Sequence, residues 1–251
     1  MDFNFEKKNI LVTGSTKGLG LFIGKTLKNL GANVIFNSRS KNEYYHENIF
    51  QNKFNYEVAD FSNLIDTKVC FEKIKLKYGT LDHIVCNVGD GRKTTHKSGS
   101  YEELNLMLQN NLFPSTNVIF EAPNFMKHNG GSIVNISSIC GLEDIGAPIG
   151  YQVAKAGLNM YVKSFAKKLS QFGIRINNIA PGNLIFEGSV WEKKLKMNKE
   201  DTLLMLQKDV ILNRFGTLEE ITNFVVFLLS SLSSFSTGNT YIADGGQTRG
   251  I

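Results

Sequence analysis

Three glycines between an apolar segment and a helical segment are the first residues whose spacing suggests a chemical role. They lie in the segment TGSTKGLG at positions 13–20. Glycines in such a turn let the backbone approach a pyrophosphate, and the following helix presents free N–H groups to the negative charge. The spacing is GxxxGxG rather than the common GxGxxG, and a plain strand-to-helix turn is the alternative. The candidate cofactor-binding residues of this turn are Gly14, Ser15, Thr16, Lys17, Gly18, Leu19 and Gly20.

The end of the second apolar segment indicates which dinucleotide the turn would bind. An NAD site places a carboxylate about 20 residues after the glycine turn, against the ribose 2′-hydroxyl. Here the sequence reads FNSRS at positions 36–40 and contains no carboxylate. Arg39 instead offers a fixed positive charge suited to a 2′-phosphate, with Lys17 as a second cation. Ser38 and Arg39 are therefore cofactor candidates, and we expect NADP(H) to be favoured over NAD(H), unless both cations are simply solvated.

Tyr151 and Lys155 stand four residues apart in a segment with a helical pattern, which places both side chains on one helix face. The spacing is weak evidence by itself, because a chain with 8 tyrosines and many lysines is expected to contain such a pair by chance. A half-buried aromatic ring beside a surface charge is the alternative. Whether the pair does chemistry depends on the motifs around it.

The composition is that of an ordinary globular protein. The chain has 251 residues, of which 42% are hydrophobic and 20% are charged, which argues against disorder and low complexity. The net charge of +5 comes from lysines spread along the sequence. A nucleic-acid-binding protein more often concentrates its cations in one stripe, so we expect no nucleic-acid partner.

The cysteines and histidines show no metal-site spacing. The three cysteines include no CxxC pair, and the four histidines are scattered without HxxxH. We therefore expect no metal, and free thiols in a reducing compartment. The sequence also has no apolar run of about 18 residues and no signal-like start, which predicts no membrane partner and a cytoplasmic location.

Short apolar segments alternate with longer helical patterns along the chain. Strands are predicted at 9–13, 33–36, 55–58, 83–86, 132–136, 175–179 and 240–243. Helices are predicted at 19–30, 63–78, 101–126, 150–172 and 218–230, with Pro114 and Pro123 as kinks or boundaries. This alternation predicts a single α/β domain built on a doubly wound parallel sheet of about seven strands with helices on both faces. Residues 182–209 are the least regular stretch, where a flap could lie.

Several short motifs occur in an order that chance would rarely produce. They are TGSTKGLG at 13–20, Asp60, CNVG at 86–89, Asn111, SIVNISS at 132–138, YQVAK at 151–155, PG at 181–182, RFGTLEEI at 214–221 and DGG at 244–246. With these motifs the chain resembles the short-chain dehydrogenase/reductase family over essentially its full length, and in particular its 3-oxoacyl-acyl carrier protein reductases. The resemblance implies one Rossmann-like domain over residues 1–251, with a substrate flap at about 183–209.

The resemblance implies four catalytic residues. Tyr151 would donate a proton to a carbonyl oxygen while a hydride reaches the carbon, and the Lys155 ammonium would lower the tyrosine pKa from its usual value of about 10. Lys155 would also bind the nicotinamide ribose. Ser138 would orient the substrate oxygen, and Asn111 would hold a water that links Lys155 to solvent.

Further cofactor contacts are implied as well. Residues near the adenine and its ribose would be Asp60, Phe61, Asn87, Val88 and Gly89, and residues near the nicotinamide would be Pro181, Gly182 and Leu184. The chain departs from the family pattern at Val88, where most relatives have alanine. It departs again at Phe186, where many have threonine, so a usual hydroxyl contact to the cofactor is missing.

Two of the implied catalytic roles have a neighbouring alternative. Ser137 could replace Ser138, and Asn110 could replace Asn111. The resemblance further implies a homo-oligomer, a dimer or a tetramer, formed through the helices before and after the serine–tyrosine region.

The implied function is that of an NADP(H)-dependent oxidoreductase that interconverts a carbonyl and a secondary alcohol, with a 3-oxoacyl thioester as the first candidate substrate. Segment 183–209 contains Trp191 together with Lys193, Lys194, Lys196 and Lys199 and suits an anionic substrate, unless those lysines are simply solvated. Residues 89–93 could form another substrate wall.

The alternatives concern both the substrate and the presence of catalysis. The arginines that would meet an acidic acyl carrier protein are missing near 128–129 and 171–172. A reductase or dehydrogenase of a sugar or nucleotide-linked sugar in surface-polysaccharide biosynthesis is therefore the alternative. A non-catalytic dinucleotide-binding module is the second alternative.

Overall fold

The computed structural model describes residues 3–41, 54–92, 94–126 and 130–250, which form seven strands and eight α-helices. The strands are β1 (Asn9–Val12), β2 (Asn33–Ser38), β3 (Asn55–Val58), β4 (His83–Cys86), β5 (Gly131–Ile136), β6 (Ile174–Pro181) and β7 (Thr240–Ala243). The helices are α1 (Gly18–Asn29), α2 (Leu64–Tyr78), α3 (Tyr101–Asn111), α4 (Phe113–Phe125), α5 (Ile149–Ser170), α6 (Val190–Met197), α7 (Lys199–Asp209) and α8 (Leu218–Leu229).

All seven strands join one parallel sheet in the order β3-β2-β1-β4-β5-β6-β7. The chain first adds strands on one side of β1 and then, from β4 onward, on the other side. This reversal separates the loops that follow β1 and β4, and ligands of open parallel sheets bind in the resulting crevice at the carboxyl ends of the strands. The predicted doubly wound α/β fold is confirmed.

Helices cover both faces of the sheet because successive strand residues point to opposite sides. On one side, Leu11 and Ile84 pack with apolar residues of α2, α4 and α5. On the other side, Ile10 and Val12 pack with apolar residues of α1 and α8. The short apolar runs of β1, β2 and β4 are the sequence signature of this two-sided burial.

The predicted long helix at 101–126 is two helices. The break falls at Leu112, and Pro114 occupies the first turn of α4, where its missing N–H leaves no intrahelical bond unmade. Pro123 lies inside the last turn of α4 rather than at a boundary. Pro114 therefore marks a boundary as expected, whereas Pro123 is accommodated.

The expectation that residues 182–209 are irregular is wrong for their second half. Helices α6 and α7 form there, and each begins at a capping residue: Ser189 accepts a hydrogen bond from Glu192 N, and Asn198 accepts one from Asp201 N. No residue of α6 is buried, and α7 buries only Thr202 and Leu206. These helices were missed because they are short and rich in charged residues, so their few apolar residues do not form the long apolar pattern that predicts a buried helix.

Within the part of the chain that the structure describes, none of the helices combines the length and the apolar character needed to cross a membrane.

Candidate active site

The glycine turn follows β1 and has the close packing that its sequence predicts. Gly14 and Gly18 adopt φ values of +58° and +52°, a backbone region that favours glycine. A Cβ on Gly20 would lie 2.4 Å from both Asn87 Nδ2 and the Gly14 carbonyl oxygen, so no side chain fits there. The turn therefore needs glycine at all three positions, two for conformation and one for space.

Hydrogen bonds from neighbouring strands hold this turn in place. The buried Ser15 hydroxyl donates to the Val12 carbonyl at 2.6 Å and accepts from Asn37 N at 2.8 Å. Asn87 Nδ2 donates to the Gly14 carbonyl at 3.0 Å. The Ser15 hydroxyl is thus engaged within the chain, while Thr16 is also buried.

The N-terminus of α1 carries a positive charge that the chain does not neutralise. Its N-cap residue, Lys17, makes no side-chain hydrogen bond to the helix, and the first turn, which includes Leu19, contains no acidic residue. The aligned peptide dipoles therefore leave partial positive charge where a pyrophosphate would lie. These residues fit a dinucleotide.

The candidates for the 2′-phosphate lie at the end of β2. Arg39 is exposed there, as is Lys17 in the glycine turn. The Ser38 hydroxyl donates to the Ser40 carbonyl at 2.6 Å and lies 2.5 Å from the Tyr56 hydroxyl. An exposed arginine at this place, with no carboxylate beside it in the sequence, fits a phosphate better than a ribose hydroxyl.

The adenine candidates line the neighbouring loops. Asp60 Oδ1 accepts from both Ser62 N (2.9 Å) and Ser62 Oγ (2.8 Å), which holds the carboxylate at the end of β3. Phe61 is buried. Val88 packs against Gly14, since its Cγ2 would be 3.1 Å from a Cβ placed there.

Tyr151 and Lys155 lie in the first two turns of α5 and face the end of β5. Lys155 is buried, and its Nζ donates to the Ile136 carbonyl at 3.0 Å and lies 5.7 Å from the centre of the Tyr151 ring. A Cβ on Gly89 would lie 3.1 Å from Lys155 Nζ and 3.2 Å from Asn111 Oδ1, so the loop after β4 passes close to both. The structure thus brings together side chains that are far apart in the sequence.

The two ionisable groups respond to burial in opposite directions. Burial raises the pKa of Tyr151, and a hydrogen bond with Ser138 partly offsets this increase. Burial lowers the pKa of Lys155 to about 8. The expected lowering of the tyrosine pKa by Lys155 is therefore not produced by the chain itself, because desolvation of the phenol is the largest influence on the Tyr151 pKa.

The structure distinguishes Ser138 from its alternative. Ser138 hydrogen-bonds Tyr151, and its Oγ also accepts from Cys140 N at 3.2 Å. Ser137 Oγ instead donates to Asn159 Oδ1 at 2.6 Å, a contact that joins β5 to α5. Ser138 therefore faces the tyrosine, whereas Ser137 has a structural role.

Asn111 fixes the loop after β4 through both ends of its amide. Its Oδ1 accepts from Asp90 N at 2.6 Å, and its Nδ2 donates to the carbonyls of Asp90 and Met107, each at 3.1 Å. Asn110 instead borders a surface cavity on α3. The water that Asn111 is expected to hold remains a prediction.

The predicted substrate wall at 89–93 lies directly over the tyrosine. A Cβ on Gly91 would be 3.1–3.3 Å from three atoms of the Tyr151 ring. Asp90 and Arg92 form an ion pair beside it and line a cavity of about 320 Å³ with Thr94, Leu106, Met107 and Asn110. Lys93 and positions 128–129 lie outside the described residues. The sequence gives no signal that Gly91 contacts Tyr151.

Cys140 is a site neighbour that motif reasoning missed. Its thiol hydrogen-bonds Ser138, and burial raises its pKa. Cys140 also contributes to the elevated pKa of Tyr151. Its place two residues after Ser138 was the only available sequence signal.

The nicotinamide candidates surround the end of β6. Pro181 is buried, and a Cβ on Gly182 would be 2.7 Å from Asp244 Cα. Leu184 forms an isolated β-bridge with Gly216. These contacts hold the start of segment 183–209 against the DGG motif.

Further along this segment, the chain leads into α6. Trp191 packs on Phe215 at 5.5 Å between ring centres, and Lys194 Nζ lies 4.1 Å from the Trp191 ring. Lys193 and Lys196 are exposed, and Lys196 pairs with Glu192. In the described ranges, no group of three or more histidine, cysteine, aspartate or glutamate side chains has the arrangement of a metal site.

Comparison with known proteins gives a consistent family. The family model described as enoyl-(acyl carrier protein) reductase matches residues 14–248. The chain is 34% identical over 248 residues to a 3-oxoacyl-[acyl-carrier-protein] reductase of Chlamydia muridarum, covering 96% of this chain and 97% of the relative. It is 29% identical over 268 residues to sorbitol-6-phosphate 2-dehydrogenase of Klebsiella pneumoniae, covering 98% of each.

A solved structure of a reductase is also similar to this chain. L-Sorbose reductase from Gluconobacter frateurii, complexed with NADPH and L-sorbose, superimposes with a TM-score of 0.87 and 25% identity, with 100% of both chains covered. The glycine turn, the tyrosine–lysine pair and these matches lead to one conclusion. The chain belongs to the short-chain dehydrogenase/reductase family and is an NAD(P)-dependent oxidoreductase.

Proposed function

We propose that this chain is an NADP(H)-dependent oxidoreductase that interconverts a carbonyl and a secondary alcohol, with Tyr151 as the acid and base. The observation that carries the proposal is the meeting of Tyr151, Ser138 and Lys155 at the carboxyl edge of the sheet. The glycine turn opens onto the same edge. A dinucleotide on that turn and a substrate at the tyrosine would therefore be neighbours.

Tyr151 would transfer the proton of its hydroxyl to the substrate oxygen. Reduced nicotinamide, when bound, supplies the hydride. The phenol is protonated at neutral pH and so carries the proton needed in the reductive direction, while burial raises its pKa and makes the proton harder to release until the cofactor and substrate are bound. The Ser138 hydroxyl, already hydrogen-bonded to Tyr151, would hold the substrate oxygen at the same point.

Lys155 would resupply the proton. Its Nζ donates to the Ile136 carbonyl and lies beside Gly89, which also adjoins Asn111. Burial lowers the pKa of this ammonium to about 8. An ammonium with this pKa can release and regain a proton near neutral pH, unlike an exposed lysine. We propose that the proton passes through a water near Asn111, as the family resemblance implies.

For the substrate we propose a 3-oxoacyl thioester first, supported by the reductases at 31–34% identity. A sugar or nucleotide-linked sugar is the second candidate, and a specific observation favours it. The cavity beside Gly91, which lies over Tyr151, includes Asp90, Arg92, Thr94 and Asn110 in its lining, and these side chains together donate and accept hydrogen bonds as hydroxyl-rich molecules require. Leu106 and Met107 complete the lining and would contact the apolar part of either substrate.

The cofactor preference is tested by titrating the protein with NADPH and NADH. We expect tighter binding of NADPH, and Arg39→Asp should weaken NADPH binding by about 10- to 100-fold because repulsion replaces attraction at the 2′-phosphate. NADH binding should change much less. Equal NADPH affinity in both proteins would show that Arg39 does not meet the phosphate.

The reaction is tested by measuring NADPH oxidation with acetoacetyl thioesters and with keto sugars. Turnover of the thioester supports the first substrate proposal, and turnover of a keto sugar supports the second. Binding of NADPH with no turnover of any carbonyl compound would favour the non-catalytic module.

A further inference from the structure

The ring of Phe186 lies on the first residue of α1. A Cβ placed on Gly18 would be 2.9 Å from Phe186 Cε2 and 3.4 Å from Cζ. The ring therefore touches the backbone of Gly18 on the side where a larger residue would have its side chain. This contact joins the glycine turn to segment 183–209, two regions that are about 170 residues apart in sequence.

The surface that Phe186 covers is the one expected to bind a pyrophosphate. The first turn of α1 has neither a side-chain cap nor an acidic residue, so its N–H groups carry unneutralised positive charge. An aromatic ring edge accepts no hydrogen bonds from these groups. An anion that reaches the helix end at Gly18 would compete with the ring for the same place.

Phe186 is connected directly to the start of α6. Its N–H donates to Ser189 Oγ at 3.3 Å, and its carbonyl accepts from Ser189 N at 3.0 Å. Ser189 is also the N-cap of α6, since its Oγ accepts from Glu192 N at 3.0 Å. A displacement of Phe186 would therefore be transmitted to the N-cap and to α6, which has no buried residue and packs through the half-buried Trp191 against Phe215.

We propose that Phe186 is a positioning residue through which cofactor binding moves α6 and α7. The pyrophosphate displaces the ring from Gly18, and the Ser189 connection carries the displacement into the two helices. This inference rests on the proposed function, because it requires a dinucleotide at the glycine turn. It also means that part of the binding free energy is spent on breaking the ring contact, which lowers the observed cofactor affinity.

The first test is the affinity for NADP⁺, measured by calorimetry on the full-length wild-type chain and its variants. Phe186→Ala should bind NADP⁺ about tenfold more tightly than the wild type, because no ring contact has to be broken. Phe186→Leu, which keeps apolar bulk, should lie between the two. Phe235→Ala is the matched control, since the Phe235 ring is fully exposed and its loss should leave the affinity unchanged.

The second test uses Trp191, the only tryptophan of the chain, which lies in α6. The ligands are NADP⁺ fragments without nicotinamide, so that no nicotinamide ring quenches the Trp191 fluorescence directly. The fragment 2′-phospho-ADP-ribose contains the pyrophosphate and should change the Trp191 emission of the wild type. Adenosine 2′-phosphate lacks the pyrophosphate and should leave that emission unchanged. In Phe186→Ala the change should fall to less than about half, because the connection is lost.

The outcomes separate this inference from the proposed function. Failure of the wild type to bind NADP⁺ would contradict the cofactor proposal itself. Normal binding in the wild type, with unchanged or weaker binding in Phe186→Ala, would show that the ring supports the cofactor rather than competing with it. Equal Trp191 responses to the two fragments would rule out the coupling, and this measurement needs no variant.

Discussion

Burial of the Lys155 ammonium lowers the stability of the folded chain, although the same side chain serves the proposed reaction. The side chain is buried, and its pKa is lowered from 10.5 to about 8. Below pH 8 both the folded and the unfolded chain carry the proton, so the folded chain bears the full cost of a buried charge. Between about pH 8 and pH 10.5 the unfolded chain binds more protons, so the stability rises with pH.

Lys155→Met should therefore stabilise the protein at neutral pH while abolishing turnover. We expect a gain of about 1–3 kcal/mol at pH 7, because a buried ammonium is replaced by an apolar group of similar length. The gain should shrink as the pH approaches 10. Thermal unfolding across this pH range measures the effect. Lys167→Met is the control on the same helix, since Lys167 is exposed. A destabilised Lys155→Met protein would contradict the prediction.

Tyr151→Phe tests the proposed acid at the same scale. It removes the hydroxyl that would donate the proton and leaves the ring in place, so kcat should fall by about 100- to 10,000-fold while the NADPH affinity changes little. Steady-state kinetics and calorimetry measure the two quantities. Tyr161→Phe is a matched control on α5, because the Tyr161 hydroxyl donates to the Thr116 carbonyl at 3.3 Å rather than facing Ser138. Near-normal turnover in Tyr151→Phe would exclude the tyrosine mechanism.

At the scale of elements, glycines determine how closely α1 can approach the sheet. A Cβ on Gly24 would lie 2.3 Å from Phe36 Cε1, in the core between α1 and β2. Gly157, on α5, would bring its Cβ no closer than 3.4 Å to Leu112, which is an ordinary contact. Two glycines in helices therefore serve different purposes.

The same substitution should have opposite effects at these two glycines. Gly24→Ala should destabilise the protein by about 1–3 kcal/mol, because the added methyl separates α1 from β2. Gly157→Ala should stabilise it by about 0.5–1 kcal/mol, because alanine loses less entropy than glycine in a helix. Urea unfolding of both variants measures the difference. A stabilised Gly24→Ala protein would show that Phe36 moves aside at little cost.

The sequence predicted elements best where local signals and burial agree. The strands at 55–58, 83–86 and 240–243 have the predicted bounds, and HIVC at 83–86 shows the short apolar run that defines a buried strand. Helices α6 and α7 were missed because they are short, charged and almost unburied, and their starts are marked mainly by the capping residues Ser189 and Asn198. The sequence predicted which residues belong to the candidate site, but it did not predict which of them are in contact.

At the scale of the whole molecule, apolar side chains remain exposed on the two helices that flank the site. Phe120 on α4 and Met160 and Val153 on α5 are 55%, 66% and 47% exposed. Exposed apolar groups on adjacent helices are typical of surfaces that another chain covers. They support the prediction of a dimer or tetramer through α4 and α5.

Sedimentation equilibrium tests this prediction directly. We expect a mass of two or four times that of the chain, and Met160→Glu should lower it by placing a charge in the interface. Leu76→Glu is the control, because Leu76 is 86% exposed and belongs to α2 rather than to the two helices of the proposed contact. A monomeric wild-type protein would contradict the prediction.

The sequence by itself determined the fold class, the family and the identity of the candidate residues. These follow from local spacing: glycines in a turn, a tyrosine and a lysine one helical turn apart, and apolar runs of strand length. Each of these signals lies within a few residues of chain, so it is readable without knowing what packs against it.

Only the tertiary structure decided what the candidate residues touch. It placed Gly91 over Tyr151, engaged Asn111 with Asp90, and laid Phe186 on Gly18. It also set the directions of the Tyr151 and Lys155 pKa shifts, because desolvation depends on all the atoms around a group. Contacts between residues far apart in sequence result from the packing of whole helices on the sheet, which no local pattern encodes.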